Sequence, residues 1–168
     1  YQDNGRTLTG TDPLTMVNII QSLGVDALGV NCSLGPNEML PIITEILKYS
    51  SIPVIVQPNA GLPKLKNGEA FYDVHAHEFA EYAKIMAEMG VTIFGGCCGT
   101  TSEHIKDIYE MLKELKPVKR NVKKITAVSS PSLTVVLGED IRVIGERINP
   151  TGKKKLKEAL KNNNLDYK

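Results

Sequence analysis

The chain is 168 residues long, 42% hydrophobic, and carries a formal charge of +1 at pH 7. That composition is globular, gives no electrostatic bias toward nucleic acid or an anionic membrane, and contains no apolar run near the roughly 18 residues a membrane span needs. The opening Tyr1-Gln2-Asp3-Asn4-Gly5 has neither the basic region nor the apolar stretch of a secretion signal, so a cytoplasmic protein with small-molecule partners, and no nucleic acid or membrane, is expected.

Asp12 and Pro13 form an N-cap and first-turn pair ahead of Met16, Val17 and Ile20, and Gly24 ends that helix before a strand over 25–30. A second helix is predicted from about Asn37 to Tyr49, with Pro41 near its first turns, and the strand Val54-Ile55-Val56 follows Pro53. Residues 60–75 read as a long loop. A third helix over 76–89 stops at Gly90, a strand over 91–94 follows, and Thr100 with Glu103 predicts a capping box for a helix carrying Ile105, Ile108, Tyr109, Leu112 and Leu115. Lys116-Pro117-Val118-Lys119-Arg120 and Ser129-Ser130-Pro131-Ser132 then mark a basic, serine-proline linker. Without interleaved aromatics its charges read as solvated surface. A new strand over 141–144 ends in Gly145-Glu146-Arg147-Ile148-Asn149-Pro150, and a helix opens at Lys153-Lys154-Lys155-Leu156.

Short apolar strands separated by helices are the pattern of parallel strands covered on both faces. A spacing of roughly 30 residues per unit suits a (β/α)8 TIM barrel, which needs about 250 residues to close. The expected fold is therefore α/β: the C-terminal part of a barrel over 1–115, an interdomain linker over 116–140, and the first βα unit of a second barrel over 141–168. The chain reads as a segment of a longer polypeptide.

Three cysteines, an odd count with an adjacent pair, suit metal thiolates in a reducing compartment better than disulfides. Cys32 sits in Val30-Asn31-Cys32-Ser33-Leu34-Gly35-Pro36, and Cys97 and Cys98 sit in Gly95-Gly96-Cys97-Cys98-Gly99-Thr100-Thr101. Both settings close predicted strands at the rim where barrel enzymes place their chemistry. Three thiolates fill three positions of a tetrahedral zinc ion and leave the fourth for water or substrate. Adjacent strand residues point to opposite faces, so Cys97 and Cys98 share one ion only if the backbone bends, which Gly95, Gly96 and Gly99 permit. The competing reading is that these cysteines are small buried hydrophobes.

These phrases, together with Gln57-Pro58-Asn59-Ala60-Gly61, Gly5-Arg6-Thr7-Leu8-Thr9-Gly10-Thr11 and Gly145-Glu146-Arg147-Ile148-Asn149-Pro150-Thr151-Gly152, resemble the zinc-dependent homocysteine methyltransferase family, in its cobalamin-dependent form. The resemblance spans nearly the whole chain. It implies Cys32, Cys97 and Cys98 as zinc ligands, homocysteine as substrate, and methionine as product. It further implies methyltetrahydrofolate as methyl donor, with cobalamin as carrier, both through parts of the parent polypeptide outside this segment, so the segment alone is expected to be inactive. Glu146 and Asn149 match positions of the second barrel that contact the pterin, whose edge suits a carboxylate and an amide. The chemistry agrees: a free thiol has a pKa of about 8.5, and coordination to a metal removes its proton.

Asn59 ends the strand between the cysteine-bearing strands and is a candidate for the polar end of homocysteine, or plain turn chemistry. His75, His77 and His104 fall in a loop and on or near helices, which favours structural or surface roles. Tyr72, in the long loop, either covers the pocket or merely packs. Two alternatives stay open: a structural zinc module, which lacks a fourth cysteine, and a single-barrel methyltransferase using betaine or S-methylmethionine, which gives no reason for the motif over 145–152.

Overall fold

The structure is a computed structural model that describes residues 1–66, 68–145 and 150–164. Its first helix, α1 (Pro13–Ser22), starts where Asp12 accepts the Thr15 N–H at 2.8 Å. This is an N-cap bond that satisfies a donor the helix itself leaves free. Strand β1 (Leu28–Asn31) follows, then α2 (Pro36–Tyr49), β2 (Val54–Gln57), an antiparallel pair β3 (Lys64–Lys66) and β4 (Glu69–Phe71), α3 (Ala76–Met89) and β5 (Ile93–Phe94). Helix α2 runs on through Pro41, which removes a backbone donor. Its buried Met39, Ile42, Ile43, Ile46 and Leu47 hold it to the sheet regardless.

The main sheet has the order β1-β2-β5, all parallel, with Leu28 beside Val54 and Ile55 beside Ile93. Consecutive parallel neighbours joined by helices are the repeating unit of a (β/α)8 barrel, and the sheet is compatible with a segment of one. Side chains alternate along β1: Leu28 and Val30 are buried among the helices, whereas Gly29 and Asn31 are exposed. The sequence pattern suggested cover on both faces. Helices pack one face, and on the other Ile93 is 42% exposed. Val54 and Val56 of β2, Ile43 and Ile46 of α2, Met86 of α3 and Val17 of α1 form the core. A smaller cluster joins Phe79, Ala80 and Ala83 to Ile108 of α4 (Ser102–Leu112).

Residues 116–140, expected to run as a linker, contain a hairpin of β6 (Thr126–Ser129) and β7 (Thr134–Leu137). It packs on α1. Thr134 Oγ1 donates to Thr15 Oγ1 at 2.9 Å, and Asn18 Nδ2 donates to Ser129 Oγ at 2.8 Å. Ahead of the hairpin, the Arg120 guanidinium donates to the carbonyls of Leu47 at 3.3 Å, Ser50 at 2.8 Å and Ile52 at 2.8 Å. These contacts gather residues 1–137 into one compact unit, and Gly138–Lys168 form a second.

Within that second unit, α5 (Lys154–Lys161) forms as predicted and buries Ala159. Residues 141–144, predicted as a strand, pair with no strand among the described residues, and Ile141 and Val143 are each 96% exposed. A strand without a ladder partner leaves its backbone to water. No helix among the described residues is long and apolar enough to cross a membrane.

Candidate metal centre

The end of β1 turns sharply. Cys32 still donates its N–H to Gln57 O at 3.0 Å in the sheet ladder, but its φ is 64° and that of Ser33 is 69°. Two successive left-handed residues reverse the chain, and Leu34 N–H closes the turn on Cys32 O at 2.9 Å. Non-glycine residues adopt this region at a cost of about 1–2 kcal/mol each, so the surrounding structure must impose it.

The end of β5 reaches the same place differently. Gly95 N–H donates to Val56 O at 3.0 Å, and Cys97 N–H donates to Pro58 O at 2.8 Å. Thr100 then folds back, its Oγ1 donating to Cys97 O at 2.7 Å. A Cβ on Gly96 would lie 2.5 Å from Thr100 Oγ1, so that bond needs glycine at 96. Gly99, at φ 77°, finishes the bend. From β2, Asn59 is 3% exposed and its Oδ1 accepts the Cys98 N–H at 3.1 Å, while Ala60 N–H donates to Cys98 O at 2.8 Å.

The bend puts two consecutive sulfurs on one side. Cys97 Sγ lies 3.8 Å from Cys98 Sγ, which lies 3.7 Å from Cys32 Sγ, and all three fall within 4.8 Å of one another. Four sulfurs about 2.3 Å from a tetrahedral zinc stand about 3.8 Å apart. The spacing therefore fits a single zinc ion held by three thiolates, and soft sulfur donors suit that metal.

The thiols are unequal. The Ser33 N–H, then the neighbouring sulfurs and Asn59, hold the Cys32 thiol below its ordinary value. Burial, followed by hydrogen bonds with Cys32 and Cys98, pushes the Cys97 thiol up to about 11, although the Cys98 N–H partly opposes this. Tyr72 stands beside them. The space above Gly99 is filled by its ring, with a Cβ on that glycine only 2.4 Å from Tyr72 Cγ. Burial first, then hydrogen bonding to Cys98, pushes its phenol up.

The structure thus brings Cys32, Cys97 and Cys98 together with Asn59 behind them. Asn59, expected to meet the polar end of homocysteine, bonds the Cys98 backbone and contributes a hydrogen bond to Cys32. Both contacts steady the sulfurs. The histidines serve elsewhere. His77 is exposed and lies 3.7 Å from Glu81, and His75 caps α3 without a side-chain bond.

The capping box of α4 differs from the predicted pair of Thr100 and Glu103. Thr101 is the N-cap and His104 its partner, its Nδ1 accepting the Thr101 N–H at 3.2 Å while Nε2 meets Val74 O at 3.1 Å. Thr100 is drawn away by its bond to Cys97, which moves the cap one residue on. The roles of Ser33 and Thr100 were missed in the sequence, and the signal available for Thr100 was a hydroxyl three residues after the first cysteine of the pair. Glu146 and Asn149 lie outside the described residues.

Comparison with known proteins places this geometry. The homocysteine S-methyltransferase family matches residues 1–112. The chain is 37% identical over 162 residues to methionine synthase of Mycobacterium tuberculosis (strain ATCC 25618 / H37Rv), covering 95% of the chain and 14% of that protein. Against methionine synthase of Mycobacterium leprae (strain TN) it is 35% identical over 167 residues, again 95% of the chain and 14% of the relative. It therefore spans only a small part of the length of either protein.

Proposed function

This chain belongs to the homocysteine S-methyltransferase family, and we propose that it supplies the thiol-activating part of a site that methylates homocysteine to methionine. The observation that carries the reading is the convergence of three sulfurs, 3.7 and 3.8 Å apart, from two strand ends. Zinc bound there would act as a Lewis acid that keeps the homocysteine sulfur deprotonated at neutral pH.

Cys32, Cys97 and Cys98 hold that ion and leave one tetrahedral position toward the open rim. Their combined charge exceeds that of a divalent cation, so electron density stays on an incoming sulfur. Asn59 contributes to homocysteine through the two cysteines it orients, as outer partners of metal ligands do. Ser33 and Thr100 fix the two turns. Three free thiols at one rim support a reducing, cytoplasmic setting.

We place the methyl donor, methyltetrahydrofolate acting through cobalamin, on other parts of a longer polypeptide. Supporting this, similarity to two methionine synthases covers 95% of the chain, whereas the family match stops at residue 112. The similarity therefore continues through the hairpin and into the second unit, and a single-barrel enzyme using betaine or S-methylmethionine gives no reason for that extension. Glu146 and Asn149 are proposed pterin contacts within it.

The test uses the full-length protein. Zinc-loaded enzyme should release a proton on binding homocysteine and form methionine from methyltetrahydrofolate. Chelated enzyme should do neither until zinc is restored. Methionine formation by the metal-free protein would overturn the reading, and activity with betaine alone would transfer the assignment to the single-barrel class.

A further inference from the structure

The stretch between the Arg120 clasp and the β6–β7 hairpin is held at both ends. On one side Lys123 N–H donates to Lys48 O at 2.8 Å, and on the other the hairpin is tied to α1 through Ser129 and Thr134. Drawn between these anchors, residues 122–125 bridge α1 and the end of α2 without filling the space under them. A cavity of about 340 Å³ stays open there, with Leu14 and Val17 of α1, Tyr49 of α2, and Val122 and Ile125 of the bridging stretch as its apolar lining. Pockets that take one small molecule combine such a volume and lining with a few polar groups.

Those polar groups decide what kind of molecule fits. Asn18 Nδ2 already donates to Ser129 Oγ at 2.8 Å. Gln21 Oε1 accepts the Ser51 N–H at 2.7 Å and the Ser51 hydroxyl at 3.0 Å, and Gln21 Nε2 reaches Tyr49 O at 3.5 Å. The neutral groups are thus bonded within the protein, and a ligand gains little from them. What remains is charge. The exposed Lys123 and Lys124 both line the cavity, and none of its described lining residues is Asp or Glu. An anion entering there meets two cations and no like charge, whereas an ammonium meets repulsion and no carboxylate. Amino acids carry both charges, so homocysteine and methionine match it poorly.

We propose that this cavity is a second binding site, for a compact carboxylate with an aromatic or branched apolar body and no amino group. The apolar body takes the space between α1 and residues 122–125, and the carboxylate meets Lys123 and Lys124. A molecule bound in this way fastens the bridging stretch to α1. The site stands apart from the thiolate centre and does not depend on the reading of the three cysteines.

The experiment uses the full-length protein, with phenylacetate as the probe and phenylacetamide, of equal size but uncharged, as its control, both followed by titration calorimetry and ligand-observed NMR. Phenylacetate should bind with a dissociation constant of about 0.1–1 mM, in the range for so small a ligand. Phenylacetamide should bind about 3- to 5-fold more weakly, the scale of an exposed ion pair. Lys124→Gln should weaken phenylacetate by about the same factor and leave phenylacetamide unchanged. Leu14→Trp and Ile125→Trp fill the cavity from opposite walls, and each should abolish binding of both. Saturating homocysteine should leave phenylacetate in place.

Equal affinity for the two probes would overturn the proposal, as would no binding at concentrations well above that range. Binding that survives the tryptophan variants, or that homocysteine displaces, would put the probe elsewhere and overturn it too. If neither tryptophan variant folds, Lys124→Gln decides alone, and an unchanged phenylacetate affinity in it would sink the site.

Discussion

The turn after β1 places Cys32 and Ser33, at φ 64° and 69°, in the left-handed region, whereas the turn after β5 places only Gly99 there, at 77°. Each turn delivers sulfur to the same point. A single cysteine can be aimed by twisting its own backbone, because only one side chain has to be redirected. Two adjacent cysteines cannot both twist and still share a side, so the bend falls on flanking glycines. The first turn carries strain, and the second carries steric dependence: Gly96 leaves room for Thr100, and Gly99 for Tyr72. The thiols differ accordingly, with Cys32 below its ordinary range and Cys97 well above it.

Removing one sulfur tests both turns at once. Cys98→Ala and Cys32→Ala should each weaken zinc retention by well over the roughly 100-fold seen when an outer partner of a metal ligand is lost, as measured by competition with a chromogenic chelator. A variant that kept zinc at wild-type affinity would show that its turn is not part of the centre.

Next is Gly99→Ala, which forces an alanine into left-handed backbone and against the base of the Tyr72 ring. About 1–2 kcal/mol from the backbone and about 1–3 from overpacking predict a loss of about 2–5 kcal/mol in denaturant unfolding. A loss under 1 would mean that Tyr72 moves aside freely and that the second turn is no more demanding than the first.

The thiol inequality is read in metal-free protein at pH 8. A lowered pKa means Cys32 is charged first as pH rises, and a raised one, at about 11, means Cys97 is charged last. Iodoacetamide should therefore label Cys32 at least roughly tenfold faster than Cys97. The reverse order would remove the electrostatic half of the comparison.

The smallest effect is expected from Ser33→Gly. Relief of about 1–2 kcal/mol of left-handed strain is offset by about 0.5–1 of extra chain entropy for glycine, so stability should rise by at most about 1.5 kcal/mol. Zinc affinity should hold, since the Ser33 N–H is kept. A clear loss of stability would assign the serine hydroxyl a role of its own.

Much of this was legible in the sequence because it depends on local pattern. Leu28, Val30, Val54 and Val56 announced buried strands, and glycines around Cys97 and Cys98 announced a bend at a strand end. What stayed hidden depends on distant partners. The β3–β4 hairpin has strands of three residues, too short for any periodicity to register. The β6–β7 hairpin was obscured by the serine-proline turn between its strands, although Thr126-Ala127-Val128 and Thr134-Val135-Val136 flanked it. His104 replaced Glu103 in the capping box because Thr100 bonds Cys97, a tie that no helix-start rule contains. The placement of Tyr72 over Gly99 is likewise a meeting of a loop and a strand end 27 residues apart, read from the structure.

The Arg120 clasp has a mechanical consequence. One rigid planar head holds the carbonyls of Leu47, Ser50 and Ile52, so a pull along the chain from beyond residue 120 loads those bonds together, and they share the force instead of breaking one after another. The hairpin of β6 and β7 is a different kind of fastening, peeled from α1 bond by bond. A tug arriving from Gly138 onward would strip the hairpin first, then meet the Lys123 N–H bond to Lys48 O at 2.8 Å, and then the Arg120 clasp. Tension from that direction is thereby stopped at the end of α2, before it reaches the strand ends that hold the sulfurs.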